Sequence, residues 1–225
     1  MRNIIFFVLI GGIIFSLPAY SKKTKPVFNS DLDSVSYCIG LSIAKNFKQS
    51  GIKEINTEAL SLGIKDIFSG NPEKINSQNV DSILNAYFIK IQNNIAKENI
   101  EMEKKFFTEN KKNEGVIELP SGLQYKVITQ GTGPKPSPTD VVVCHYEGKL
   151  INGKVFDSSY DRGEPVSFQL NKVIPGWTEA LQLMSVGSKW ILYIPSALAY
   201  GENGAGDIIG PNETLIFTVE LLDIQ

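Results

Sequence analysis

The chain has 225 residues, 42% hydrophobic and 20% charged, which excludes a wholly disordered or collagen-like protein and exceeds the usual domain size of about 100 to 150 residues. Lys and Arg number 22 against 24 Asp and Glu, a formal net charge of −2. With no basic excess, nucleic acid is not an expected partner.

The N-terminus carries Arg2, an apolar run from Ile4 to Leu17, and small residues at Ala19 and Ser21. This order is that of a secretory signal, residues 1–21, with cleavage expected after Ser21; a short anchor that stays uncleaved is the other reading of the same segment. The run is shorter than the roughly 20 residues needed to cross a bilayer, and no later stretch is long or apolar enough, so no integral membrane span is expected after cleavage. Export leads to compartments where disulfides form, yet the two cysteines, Cys38 and Cys144, fall in different candidate modules and a structural disulfide is not expected.

From Asp31 to Phe47, Val35, Cys38, Ile39, Ile43 and Phe47 recur at helical spacing and predict an amphipathic helix. A second helix begins after Asn56, a good N-cap, carries Leu60, Ile64 and Ile67, and stops at Gly70 ahead of Pro72. A third starts near Asn76 and keeps Val80, Leu84, Tyr87, Phe88, Ile91, Ile95, Met102 and Phe106 in register, with no Gly or Pro until Gly115. A helix of more than about 30 residues is close to 50 Å long, so it must project or join a second chain. The apolar stripe reads as a dimer seam or a client-binding surface, or else as a helix packed on its own domain; three helices bury little core alone, which favours self-association. The mixed-sign stretch from Glu98 to Lys112 reads as a solvated helix face.

After Gly115 the helical period gives way to short strands with Gly and Pro turns, placing the boundary between Asn113 and Pro120. Leu123 to Thr129, Val141 to Leu150, Val166 to Leu170, Lys189 to Ile194 and Thr214 to Leu222 read as strands. A single short helix fits between Gly176 and Met184, with Gly187 ending it. Cys144 and His145 do not form a nucleophile and base pair, because neighbours on a strand point to opposite faces. His145 is the sole histidine and no close cysteine pair exists, so no metal site is expected. The run Gly201 to Gly206 lacks the Lys and the following helix of a phosphate loop.

What remains is a set of motifs in fixed order: VFDSSYDRGEPVSF at Val155 to Phe168, VIPGW at Val173 to Trp177, MSVGSKW at Met184 to Trp190, LAYG at Leu198 to Gly201, and IGPNETLIFTVELL at Ile209 to Leu222. Together they closely resemble the FKBP-type peptidyl-prolyl cis/trans isomerases. SYCIGLSIAKNF at Ser36 to Phe47 and LPSGLQYKVI at Leu119 to Ile128 further resemble the exported bacterial branch similar to macrophage infectivity potentiator.

The resemblance implies an α+β fold: a helical dimerisation module with a long connecting helix, residues 22–115, then an FKBP-like antiparallel twisted sheet wrapped on one short helix, residues 116–225. It implies a homodimer through the N-terminal helices, no cofactor and no metal, and clients that are unfolded or partly folded exported proteins with Xaa-Pro bonds. Macrocyclic inhibitors are further candidate ligands. The expected location is the periplasm, with the outer membrane surface or release from the cell as alternatives. By the same resemblance, Asp157, the Tyr200 hydroxyl and the Ile174 backbone N–H are the polar catalytic groups. Arg162 would pair with Asp157. Tyr146, Phe156, Val166, Val173, Ile208, Ile209 and Phe217 would form apolar walls over the floor made by Trp177, while Trp190 belongs to the core and Tyr160 neighbours the site. Ala205 stands where many eukaryotic members have His, and Val166 where they often have Phe, departures that bear on the pocket rim. A non-catalytic dimeric chaperone, or a module that only binds proline-containing segments, is the competing reading.

Overall fold

The computed structural model describes residues 28–225; the expected signal segment, residues 1–21, lies outside them. The chain divides into two compact units, one ending at Asn46 and one running from Phe47 to Gln225.

Helix α1, Asp31–Gln49, starts with Asp31 and Asp33 in its first turn and has Lys48 in its last, charges that complement the helix dipole at each end. The Ser30 hydroxyl accepts from the Asp33 N–H. Leu32, Val35, Tyr37, Ile39 and Leu41 are all exposed in the single chain. Helix α2, Thr57–Ser69, is capped by the Asn56 side chain, which accepts from Ala59 N–H, and it closes at Gly70 in the left-handed conformation, a backbone state that glycine adopts without steric cost.

The expected start near Asn76 is a 3-10 turn, Ser77–Asn79, capped by Asn76. The long helix α3 follows over Val80–Asn110, 31 residues and so about 46 Å. Its C-terminal half does not project: Asn99 and Asn110 are buried, and the Phe106 ring packs 5.8 Å from that of Tyr193. The mixed-sign stretch is therefore not a uniformly solvated face. Gln124, wholly buried, caps the end of the helix by donating to the Phe107 carbonyl, which also accepts from Lys111 N–H, while accepting from Asn110.

Seven strands follow: β1 Val116–Glu118, β2 Gln124–Thr129, β3 Val141–Leu150, β4 Val155–Ser158, β5 Val166–Gln169, β6 Lys189–Ile194 and β7 Leu215–Ile224. They form one antiparallel sheet in the order β1-β2-β6-β7-β3-β4, with β5 paired to β3. On β3 burial alternates residue by residue, so Val142, Cys144, Tyr146 and Leu150 face the core and His145 faces away. Two short helices complete the unit, where one was expected: a single turn α4, Ser159–Arg162, directly after β4, and α5, Pro175–Leu181. Pro175 at the first position of α5 has no N–H to leave unpaired. The helix ends short of Met184 because Leu181 and Met184 both turn into the core, fully buried; Gly187 instead makes the tight turn into β6, its N–H bonded to the Leu221 carbonyl.

The core lies between α5 and the concave face of the sheet and contains Leu123, Leu170, Leu192, Ile194, Leu215 and Val219 without solvent exposure. Each such side chain contributes about 1.5 to 3 kcal/mol. Trp190 is also core, stacked on Tyr125 at 4.4 Å. Among the described residues no helix is long and apolar enough to cross a membrane.

Candidate active site

One cavity of about 420 Å³ opens where α5 meets the sheet, lined by Tyr146, Phe156, Asp157, Phe168, Lys172, Val173, Ile174, Trp177, Tyr200 and Phe217. That volume suits one or two side chains of a ligand rather than a folded partner. Its frame is aromatic. Trp177, delivered by α5, meets Tyr146, Phe168 and Phe217 edge to face, with centroids 5.2, 5.4 and 5.2 Å away. Phe156 of β4 packs edge-on against Phe217 at 5.5 Å. Such tilted contacts suit the charge distribution of the rings. Gly148 on β3 makes room for them: a Cβ there would fall 2.6 Å from both the Phe156 and the Phe217 rings.

A polar corner sits on this frame. The Tyr146 hydroxyl donates to Asp157 Oδ2 at 2.5 Å, Arg162 Nη1 bonds Asp157 Oδ1, and Arg162 Nη2 donates to the Tyr146 hydroxyl at 2.9 Å. The single turn of α4 makes this possible. Ser158 caps it by accepting from Asp161 N–H and Gly163 closes it in the left-handed conformation, which returns Arg162 over Asp157 and the Tyr146 ring. Two donors at the cavity are unused: no described residue accepts from the Ile174 N–H or the Tyr200 hydroxyl. The Ile174 carbonyl, by contrast, is engaged by Trp177 and Thr178 N–H at the start of α5.

Eight of the residues proposed from sequence thus share one cavity, and Arg162 reaches it through Asp157 and Tyr146. Three do not line it. Val166 packs on the core opposite Cys144, and Phe168, two residues along the same face of β5, occupies the wall instead. Ile209 is buried in the core and bridged to Ala205, while Ile208 is solvent-exposed. Phe168 and Lys172 were missed; strand alternation from Val166 points to Phe168, and nothing in the sequence singles out Lys172. Cys144 lies fully buried, its thiol pushed up to about 12 by burial, so it is no nucleophile. His145 lies across the strand, stacked on Tyr160 with Nδ1 3.0 Å from the Ser159 hydroxyl.

The family model described as FKBP-type peptidyl-prolyl cis-trans isomerase matches residues 133–222. A second, described as the domain amino terminal to FKBP-type peptidyl-prolyl isomerase, matches residues 32–127. The chain is 47% identical over 208 residues to the FKBP-type 22 kDa peptidyl-prolyl cis-trans isomerase of Escherichia coli, covering 89% of this chain and 99% of that one. The chain belongs to the FKBP-type peptidyl-prolyl cis-trans isomerases.

This isomerase is also 44% identical over 207 residues to the outer membrane protein MIP of Legionella longbeachae, covering 87% of each. It matches the crystal structure of FkpA from Escherichia coli with a TM-score of 0.65 at 36% identity, over 88% of this chain and 99% of that one.

The polar corner of the isomerase is held charged. Burial alone raises the Asp157 carboxyl, but the Tyr146 hydroxyl and the Arg162 guanidinium outweigh it and hold the group below the usual carboxylate range. Burial and the adjacent Asp157 charge push the Tyr146 hydroxyl above its ordinary value. A carboxyl lowered on folding contributes stability that is present above its unfolded pKa of about 3.9 and lost as pH falls through the folded value. Tyr146→Phe removes one of the two donors. It is expected to raise the Asp157 pKa toward the ordinary range in a carboxyl-carbon NMR titration, and to lower stability near neutral pH while shrinking the loss on acidification.

Proposed function

We propose that Xaa-Pro rotation takes place in this cavity, with the proline ring over Trp177 and the preceding carbonyl beside Asp157 and Tyr146. The observation that carries the reading is the pairing of an aromatic frame with two unused donors, the Ile174 N–H and the Tyr200 hydroxyl, around one cavity. The reaction needs no bond to be made or broken. Its barrier of about 18 to 20 kcal/mol comes from amide resonance, which gives the planar bond its charge separation. Twisting the amide reduces that dipole, so apolar walls stabilise the twisted form relative to the planar one.

Within that frame the polar groups divide the work. Ile174 N–H and Tyr200 are set to hold carbonyls flanking the rotating bond, fixing the chain on either side while the amide turns between them. Arg162 and Tyr146 keep Asp157 ionised and oriented, a fixed negative charge facing the amide as its carbonyl swings. The residues required are those that desolvate and those that grip.

Around this site we infer an exported dimer. Residues 1–21 direct export, 22–115 pair two copies, and 116–225 carry the pocket. Exposed apolar residues on α1 (Leu32, Val35, Ile39) and, separately, on α2 (Leu62, Ile67, Phe68) in the single chain support pairing, since uncovered apolar helix faces mark association surfaces. The clients are exported chains with Xaa-Pro bonds, met in the periplasm.

Two experiments check these assignments. In a protease-coupled assay on an Xaa-Pro peptide, Phe217→Ala is expected to lower kcat/KM by about tenfold or more, and Asp157→Val by a comparable factor; wild-type rates in both would remove the cavity as the site. In sedimentation equilibrium the intact protein is expected to run as a dimer at micromolar concentration, and a monomer there would overturn the pairing.

A further inference from the structure

The segment from Ser196 to Thr214 carries Tyr200, which lines the cavity. It is closed on itself: Asn212 N–H bonds the Gly201 carbonyl at 2.8 Å, and Ala205 and Ile209 exchange both backbone bonds. Gly204 permits this fold-back, since its φ is +63° and a Cβ would lie 2.2 Å from the Ile209 carbonyl oxygen. Among the described residues, every side-chain hydrogen bond that leaves this segment ends on helix α3. Glu103 Oε2 accepts from Ser196 N–H at 2.6 Å and from the Thr214 hydroxyl at 2.8 Å, and Oε1 accepts from the Ser196 hydroxyl at 3.3 Å. One turn earlier, Asn99 Nδ2 donates to the Pro211 carbonyl at 2.8 Å.

One carboxylate therefore grips the two ends of the loop. Ser196 and Thr214 are both buried, so these bonds are sheltered from water, and an ionised acceptor makes them stronger than neutral ones. The two anchors also border β6 and β7, whose last and first residues, Ile194 and Leu215 respectively, are paired. The sheet sets the spacing of the loop's ends and Glu103 sets their orientation. Without it, the loop keeps its internal bonds but loses three hydrogen bonds to α3.

We propose that Glu103, from the long helix, is a positioning residue of the isomerase: it fixes the loop that presents Tyr200 to the substrate. This rests on the assignment of Tyr200 to the pocket made above. It makes the C-terminal half of α3 part of the catalytic apparatus rather than a spacer.

The test uses the intact protein with Glu103→Ala, Glu103→Gln, Tyr200→Phe and the double variant E103A/Y200F. Glutamine can keep one oxygen on Ser196 N–H and Thr214, so it serves as the conservative rescue. Glu103→Ala is expected to speed amide hydrogen exchange across residues 199–210 by about tenfold, with β3 and β7 unchanged. The same variant is expected to lower kcat/KM by about tenfold, mostly in kcat. Glu103→Gln restores both to within about twofold of wild type, and the double variant turns over no slower than Tyr200→Phe alone. Unchanged exchange in Glu103→Ala overturns the clamp whatever the activity. Faster exchange with wild-type kcat/KM, in a protein that Tyr200→Phe impairs, overturns the positioning role while leaving the pocket assignment standing. Wild-type turnover by Tyr200→Phe removes the pocket assignment, and the catalytic part of the proposal with it, even where exchange has risen. Should Glu103→Ala fail to fold, Thr214→Val removes a single bond of the clamp and is read the same way, with changes of about threefold.

Discussion

The contact on which the pocket depends is the edge-to-face packing of Trp177 against Tyr146, Phe168 and Phe217. Those three rings come from three strands, β3, β5 and β7, and Trp177 from α5, so the floor exists only when the helix is seated on the sheet. Gly148 lets two rings close over β3 where any side chain would intrude. Packing at this density leaves few rotamers open, and a cavity framed by it keeps its shape before a substrate arrives. That preorganisation matters for a reaction with no covalent step. In the mechanism proposed above, the pocket would contribute to rate only by being more complementary to the twisted amide than to the planar one.

The polar corner shows how a charge is kept at the edge of an apolar site. Asp157 is partly desolvated, which opposes ionisation, yet a phenol and a guanidinium both point donors at it. Tyr146 serves both halves of the site, its ring against Trp177 and its hydroxyl on Asp157. Around pH 7 the carboxyl is ionised and the phenol protonated, so neither group titrates in the working range. On a different element, Glu103 binds both ends of the loop that carries Tyr200. The two unused donors thus sit on opposite supports, Ile174 on the start of α5 and Tyr200 on a loop held by α3.

Much of this was legible in the sequence where the signal is local. The bounds of β3 and β6 follow from β-branched and aromatic content, and Asn56 and Gly70 mark α2 by their cap chemistry. Strands β1 and β4, three and four residues long, are too short to show a period. The bond between Tyr146 and Asp157 depends on the β3 and β4 pairing, including a register shift after Gly148, which no spacing in the chain encodes. Glu103 is the sharpest case. It lies in a run of mixed charges that reads as solvated, and its partners at Ser196 and Thr214 are 93 and 111 residues away. Only the docking of α3 on the sheet brings them together. Val166 lies within the motifs and Ile208 beside one, but neither lines the cavity, because motif register does not say which neighbour on a strand or loop reaches the cavity first.

Catalysis by desolvation and grip, with no proton in flight, is tested most directly by measuring kcat/KM for one Xaa-Pro peptide across pH in light and heavy water. Asp157 titrates below its ordinary range and Tyr146 above its own, so the profile is expected to be flat from about pH 5 to 9. The solvent isotope effect is expected to lie close to one. A bell-shaped profile within that window, accompanied by an isotope effect of about two or more, would contradict it and require a group that transfers a proton to the amide nitrogen.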